Sequence, residues 1–246
     1  MPSEINIILF DLGNTLIYSK NPWNGILFKG IMEFLRSIIL IDPSIKEKIS
    51  ASDIQDCMNQ YYDLRVENLV ETTSFNILRS CLQSKNISSI TDGQLRTALQ
   101  VMYSVTQSNW GIGVDTIPTL NHIKEKEYHL GLLSNAADDL DVQQLIDRWK
   151  LRHFFEFIRT SAVCGFRKPH PRLFQEALSF FNASPSNVMM VGDTLNADIL
   201  GANKLGIFSV LLDPNDVYSQ ENSDVKPSMI INNLREIIPL LDSLKH

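Results

Sequence analysis

Apolar residues follow two rhythms along this chain, and the change of rhythm divides it. Ile5 to Phe10 is a short run of Ile, Leu and Phe bounded by turn formers, the pattern of a strand buried on both faces. Thr15 to Asn24 reads as a loop or short hairpin. From Gly25 to about Ile41 the spacing turns helical, with Ile26, Leu27, Ile31, Phe34, Leu35, Ile38 and Ile39 on repeating turns. Asp42-Pro43-Ser44 breaks that helix. Ser52-Asp53 is placed to cap a second helix to about Val70, Thr73-Ser74 a third to about Lys85, and Thr91-Asp92 a fourth to about Gln107. Residues 16–110 therefore read as helical.

Beyond Asp115 short apolar runs return between helical stretches. Helix is predicted over 117–126, 139–149, 171–181, the stretch up to Leu205 that Gly206 ends, and 234–244. Strands are predicted over 129–133, 157–159, 188–191, 208–212 and 229–231. Strands alternating with helices imply right-handed crossovers and a parallel sheet. An α/β core with a separate helical unit is the expected architecture.

Composition narrows the partners. The chain has 246 residues, 44% of them apolar, and a net charge of −6 without a long basic run. That pattern excludes nucleic acid and anionic membrane as main partners. No run of 18 apolar residues occurs, so no spanning helix is expected. The first residues carry neither a basic stretch nor a long apolar one, so no leader is expected. Cys57, Cys81 and Cys164 are odd in number and far apart. No disulfide framework and no metal-ligand spacing is visible, and a reducing, cytoplasmic location is expected. Nothing in the pattern specifies an oligomeric state.

The chemistry gathers where predicted strands end. In open α/β sheets ligands bind beyond the carboxyl ends of the strands. Asp11 with Thr15, Ser134 with Asn135, and Asp193 with Asp198 occupy three such ends, and Lys168 lies in a loop. Each alone has an ordinary explanation: a helix cap, a turn former, a surface lysine. Together they make a hard-oxygen donor set suited to Mg²⁺, with a fixed positive charge beside it. A phosphoryl group fits between the two, held by Thr15 or Ser134 hydroxyls, with Asp11 placed to attack phosphorus.

Four segments in order resemble the motifs of the haloacid dehalogenase superfamily. They are Asp11-Leu12-Gly13-Asn14-Thr15-Leu16, then Leu132-Leu133-Ser134-Asn135, then Gly165-Phe166-Arg167-Lys168-Pro169-His170-Pro171, and Gly192-Asp193-Thr194-Leu195-Asn196-Ala197-Asp198. The resemblance implies a Rossmann-like, doubly wound parallel sheet (residues 1–16 and 111–246) with an all-helical cap (17–110) inserted after the first strand. It implies a Mg²⁺-dependent hydrolase of a small phosphorylated metabolite. Asp11 would be the nucleophile, with Lys168 acting beside it. Thr15, Ser134, Asn135 and Lys168 would bind phosphate, and Asp11, the Gly13 carbonyl, Asp193 and Asp198 would hold the metal.

The sequence departs from that family at Gly13. Phosphatases of the family carry there an Asp that protonates the leaving group. Its loss points to an impaired or specialised phosphatase. The alternatives are a binding or regulatory protein on the same fold, a haloacid dehalogenase, or a phosphonatase-like enzyme. Trp23, Phe28 and Phe34 are candidates to line a pocket under the cap but read rather as core, and Tyr61 to Arg65 are polar enough to face the site but read rather as a solvated helix face; His122 and His170 read as packing or surface residues, and Gly111-Ile112-Gly113 as a hinge.

Overall fold

The computed structural model describes residues 5–218 and 223–243. At its centre is β1 (Ile7–Phe10), all four residues buried. It pairs in parallel with β4 (His129–Ser134) on one side and β6 (Val188–Gly192) on the other. β5 (Phe157–Thr160) extends the sheet beyond β4, and β7 (Phe208–Leu212) and β8 (Met229–Ile231) extend it beyond β6. Every pairing is parallel, and the order β5-β4-β1-β6-β7-β8 places the switch in winding direction beside β1. This is the Rossmann-like α/β core expected from the pattern.

Period-two alternation explains why β1 is apolar throughout. Ile8 and Phe10 enter one core cluster with α5 (Thr116–Glu125), α6 (Asp139–Arg148) and α10 (Ile237–Ser243). Ile7 and Leu9 enter the other with α8 (Pro171–Phe180) and α9 (Leu200–Leu205). The predicted closing helix starts later than expected, because Leu234–Glu236 forms a 3₁₀ turn first. Its predicted last residue, Leu244, lies outside the described residues.

Between β1 and β4 the chain builds α1 (Trp23–Ile41), α2 (Ala51–Asn68), α3 (Ser74–Ser84) and α4 (Asp92–Ser108). These helices bury their own cluster, with Leu27, Ile31, Phe34 and Ile38 of α1 at its centre. α2 begins two residues earlier than predicted. Ser50 rather than Ser52 caps it, because Asp53 returns a hydrogen bond to the Ser50 backbone and closes a reciprocal capping box. Phe28 was expected in the core; it is 41% exposed.

The stretch expected to be a loop or short hairpin contains one strand, β2 (Ile17–Ser19), which pairs antiparallel with the distant β3 (Trp110–Ile112). The two chain crossings between the helical unit and the sheet are thus zipped into one stem. Asn109 tightens it, donating to Ser19 Oγ at 2.7 Å and accepting from Asn21 Nδ2 at 2.8 Å. Cys57 and Cys81 also correct the sequence reading. They form a disulfide with Cα atoms 6.0 Å apart. Local sequence does not reveal it, because the 24-residue separation is closed only when α2 packs on α3. Among the described residues no helix is long and apolar enough to cross a membrane.

Because Phe34 is fully buried in the helical cluster, Phe34→Ala should cost about 3–5 kcal/mol of unfolding free energy. Denaturant titration followed by circular dichroism measures this; a loss under about 1 kcal/mol would contradict the cluster's role.

Candidate active site

The site forms where β1, β4 and β6 end together. Asp11 follows β1 directly, and its backbone N–H donates to Val191 O at 2.9 Å. Ser134 closes β4, and Asp193 follows β6. Asp198 is carried by a π-type turn over Leu195–Ile199. It approaches so closely that a β-carbon at Gly192 would fall 2.3 Å from its Cγ, so position 192 admits no side chain. The Thr194 backbone N–H donates to Asp198 Oδ2 at 3.1 Å.

Lys168 arrives from the loop after α7 (Ser161–Cys164) and is 3% exposed. Its Nζ donates to Asp11 Oδ1 at 2.6 Å and to Leu133 O at 2.6 Å, and pairs with Asp198 Oδ1 at 2.7 Å. The three donors of an ammonium are all engaged. Carboxylate oxygens of Asp11, Asp193 and Asp198 all lie within 4.8 Å of one another.

The electrostatics follow from that crowding. Burial pushes Asp11 up to about 7; the Lys168 ammonium pulls against it, while Asp198 and Asp193 push the same way. Burial, followed by the charge of Asp198, also raises Asp193. Burial works to strip Lys168 of its proton, but Asp11 and Asp198 outweigh it and hold its pKa above the ordinary value.

Two of the expected phosphate ligands have other surroundings. Asn135 spends its side chain on Lys168, accepting from the Lys168 backbone N–H at 2.8 Å and donating to its carbonyl at 3.0 Å. It positions the lysine loop. Thr15 is buried, is not among the residues lining the cavity, and its hydroxyl makes no hydrogen bond among the described residues. Ser134, Asn135, Lys168, Asp11, Gly13, Asp193 and Asp198 all do line it.

The cavity holds about 490 Å³ and opens between the sheet edge and the helical unit. Its far wall holds residues for which the sequence made the pocket only the second reading. Tyr62 and Arg65 line it rather than forming only a solvated face, and Trp23 lines it rather than sitting in the core. The Arg65 guanidinium lies 4.2 Å above the Tyr62 ring. Burial, then the neighbouring Arg167, lowers the Arg65 pKa. Trp110 and Trp23 pack with ring centroids 5.7 Å apart. A β-carbon at Gly13 would rest 3.4 Å from Trp110 Cη2, so the space where a side chain at position 13 would project is bounded by an indole. His170 is a packing residue, stacked on Phe166 at 4.2 Å.

Sequence reasoning also missed Glu71, Ser161, Asp138 and Asp141. Asp138 and Asp141 line the cavity at the start of α6. Gln107 Nε2 donates to Asp141 Oδ1 at 2.8 Å, and the Tyr103 hydroxyl donates to Asp138 Oδ2 at 3.0 Å. Burial pushes Asp141 up to about 7, with the Gln107 hydrogen bond opposing and the Asp138 charge adding. Only the helix-capping pattern of Asp138 was available in the sequence.

Comparison with known proteins agrees with this geometry. The family model described as "Haloacid dehalogenase-like hydrolase" matches residues 8–212. The chain is 35% identical over 130 residues to glyceraldehyde 3-phosphate phosphatase of Methanothermobacter thermautotrophicus, covering 50% of this chain and 57% of that protein. It is 34% identical over 108 residues to phosphoserine phosphatase of Thermus thermophilus, covering 44% of this chain and 42% of that protein. The chain thus spans less than two thirds of the length of either relative. In fold it resembles 2-haloacid dehalogenase from Pseudomonas syringae pv. Tomato DC3000, with a TM-score of 0.75, 21% identity and 98% and 100% of the two chains covered. It also resembles a HAD phosphatase from Thermococcus onnurineus, with a TM-score of 0.67, 19% identity and coverage of 96% and 98%.

The raised Asp141 carboxyl has a consequence for stability. The folded chain retains a proton there that the unfolded chain releases above its ordinary value of 3.8. Stability therefore falls as pH climbs from 3.8 toward 7 and levels off above. Asp141→Asn should remove that slope, so the variant's melting temperature gains on wild type between pH 5 and pH 8. Parallel melting curves across that range would contradict the assignment.

Proposed function

We propose that this chain, which belongs to the haloacid dehalogenase-like hydrolase family, is a Mg²⁺-dependent phosphohydrolase of a small phosphorylated metabolite, working through an aspartyl-phosphate on Asp11. The observation that carries this reading is the buried Lys168 ammonium 2.6 Å from the Asp11 carboxylate at the end of the central strand. A carboxylate so placed is oriented to attack, and the lysine is positioned to share the charge of an incoming phosphoryl group. The two relatives' names, glyceraldehyde 3-phosphate phosphatase and phosphoserine phosphatase, support a small phosphorylated substrate.

The residues fit the metal. Three carboxylates converge against one ammonium and offer only hard oxygen donors, and a bound cation would favour their ionised forms. Asp11, Asp193, Asp198 and the Gly13 carbonyl would hold Mg²⁺, which when bound neutralises charge on the phosphoryl oxygens. Ionised Asp11 forms the new O–P bond as the bond to the leaving oxygen breaks. Water then cleaves the acyl phosphate and restores Asp11. Ser134 and Lys168 bind the phosphoryl oxygens throughout. The helical cap over residues 17–110 supplies the substrate-facing wall, against a core of residues 1–16 and 111–246.

Position 13 decides which esters react. Gly13 has no proton to give, and Trp110 stands against it. The leaving group must depart without an acid at that position, which suits aryl and acyl phosphates better than alkyl ones. The same feature favours a second reading, a binding or regulatory protein that engages phosphate without turnover.

With Mg²⁺ present, aryl and acyl phosphates should be hydrolysed and alkyl phosphates scarcely at all. Asp11→Asn or chelation should abolish the activity. Turnover that survives Asp11→Asn overturns the mechanism; no turnover of any ester, with metal fluoride still bound, selects the binding reading. Gly13→Asp, combined with Trp110→Ala to make room, should raise alkyl phosphate turnover roughly 10²-fold. No gain would count against the account of position 13.

A further inference from the structure

Glu71 lies between α2 and α3, a place where a carboxylate is ordinarily solvated. Its side chain is instead fully buried, and an unpaired charge there would cost several kcal/mol. The structure surrounds it with donors. Tyr61 of α2 donates its hydroxyl to Oε1. Arg167 donates a guanidinium N–H to Oε2, and Ser161 Oγ donates to the same oxygen at 2.5 Å.

Those last two partners belong to the sheet side, and each leads to a site loop. Arg167 precedes Lys168 in the chain. Ser161 Oγ accepts from the Ala136 backbone N–H at 2.9 Å, one residue beyond Asn135 and two beyond Ser134. The backbone around Glu71 docks as well. Glu71 N–H donates to Gly165 O at 3.0 Å and Arg167 N–H to Leu69 O at 2.8 Å, with Val70 bridged antiparallel to Phe166. One carboxylate from the helical unit therefore ties down both loops that hold the phosphoryl-binding residues.

We propose that Glu71 is a positioning residue: it locks the Ser134 and Lys168 loops into their working geometry only when the 69–73 segment of the cap is seated on the core. In this account the cap completes the site as well as covering it. The proposal rests on the phosphohydrolase reading for its catalytic consequence, and on geometry alone for its structural one. The two branches are separable. The Arg167 branch governs the 165–168 loop, and the Ser161 branch governs the 134–138 loop.

The test uses the full chain with Mg²⁺, comparing wild type, Glu71→Gln and Ser161→Ala. Amide hydrogen exchange is read at residues 134–138 and 165–168, and kcat and KM are read on 4-nitrophenyl phosphate. Glu71→Gln keeps the shape but removes the charge, and should speed exchange at least tenfold in both loops. Ser161→Ala should do so at 134–138 alone. Glu71→Gln should lower kcat roughly 10²-fold with KM changed less than about threefold, as expected when reacting groups lose alignment. Unchanged exchange in both loops of Glu71→Gln overturns the proposal whatever the activity. Loosened loops with wild-type kcat overturn its catalytic half. A wild type without turnover fails the phosphohydrolase reading, and the exchange data still decide the positioning role. If Glu71→Gln does not fold, the loop-selective response of Ser161→Ala decides it, and uniform loosening there counts against it.

Discussion

The structure depends on an ammonium held among carboxylates at the edge of a parallel sheet. Lys168, Asp11 and Asp198 are all nearly inaccessible to solvent. Removing such ions from water costs several kcal/mol each, and only close, fully engaged pairing offsets it. The pairing dictates its surroundings. Gly192 must lack a side chain so that Asp198 can approach. Asn135 must grip the Lys168 backbone from both sides so that the ammonium cannot drift. β1 must be apolar on both faces, because only a central strand brings its last residue to the point where the winding reverses. Three carboxylates against one ammonium is an unequal set, and the proposed cation and phosphoryl site rests on that inequality.

Much of this was legible in the sequence because it is local. A run such as Ile7 to Phe10 announces a buried strand, and a polar residue directly after it announces a strand end; Asp11, Ser134 and Asp193 share that signature. What was not legible depends on closure over distance. β2 and β3 are three residues each and pair across roughly ninety residues of intervening helix, so neither has a pattern of its own. Cys57 meets Cys81 only through helix packing. Asn135 reads as a phosphate ligand from its place beside Ser134, whereas its side chain holds a backbone segment 33 residues later. Tyr62 and Arg65 looked solvated because α2 carries so many polar residues that its inward face is obscured.

The stem links this architecture to reactivity. Trp110 belongs to β3, the return crossing from the helical unit, and its ring lies against Gly13, two residues past Asp11. The residue that could carry a proton donor and the residue that borders its space therefore sit on the two crossings of one zipped ribbon. A β-carbon at position 13 would meet that ring at 3.4 Å, an ordinary van der Waals contact. A longer side chain at position 13 would therefore project along a surface that the stem supplies.

The seam between helices and sheet is polar, while each side keeps a separate apolar core. Apolar burial is non-directional and would tolerate many seatings of one unit on the other. Charge-assisted hydrogen bonds are directional, and a buried carboxylate left unpaired is heavily penalised. Glu71 on Arg167 and Ser161, Tyr103 on Asp138, and Gln107 on Asp141 are satisfied together in one relative position. A seam of this kind contributes modestly to cohesion and strongly to register. Register is what a site needs when Asp11, Lys168 and the far wall of the cavity come from three separate stretches of chain.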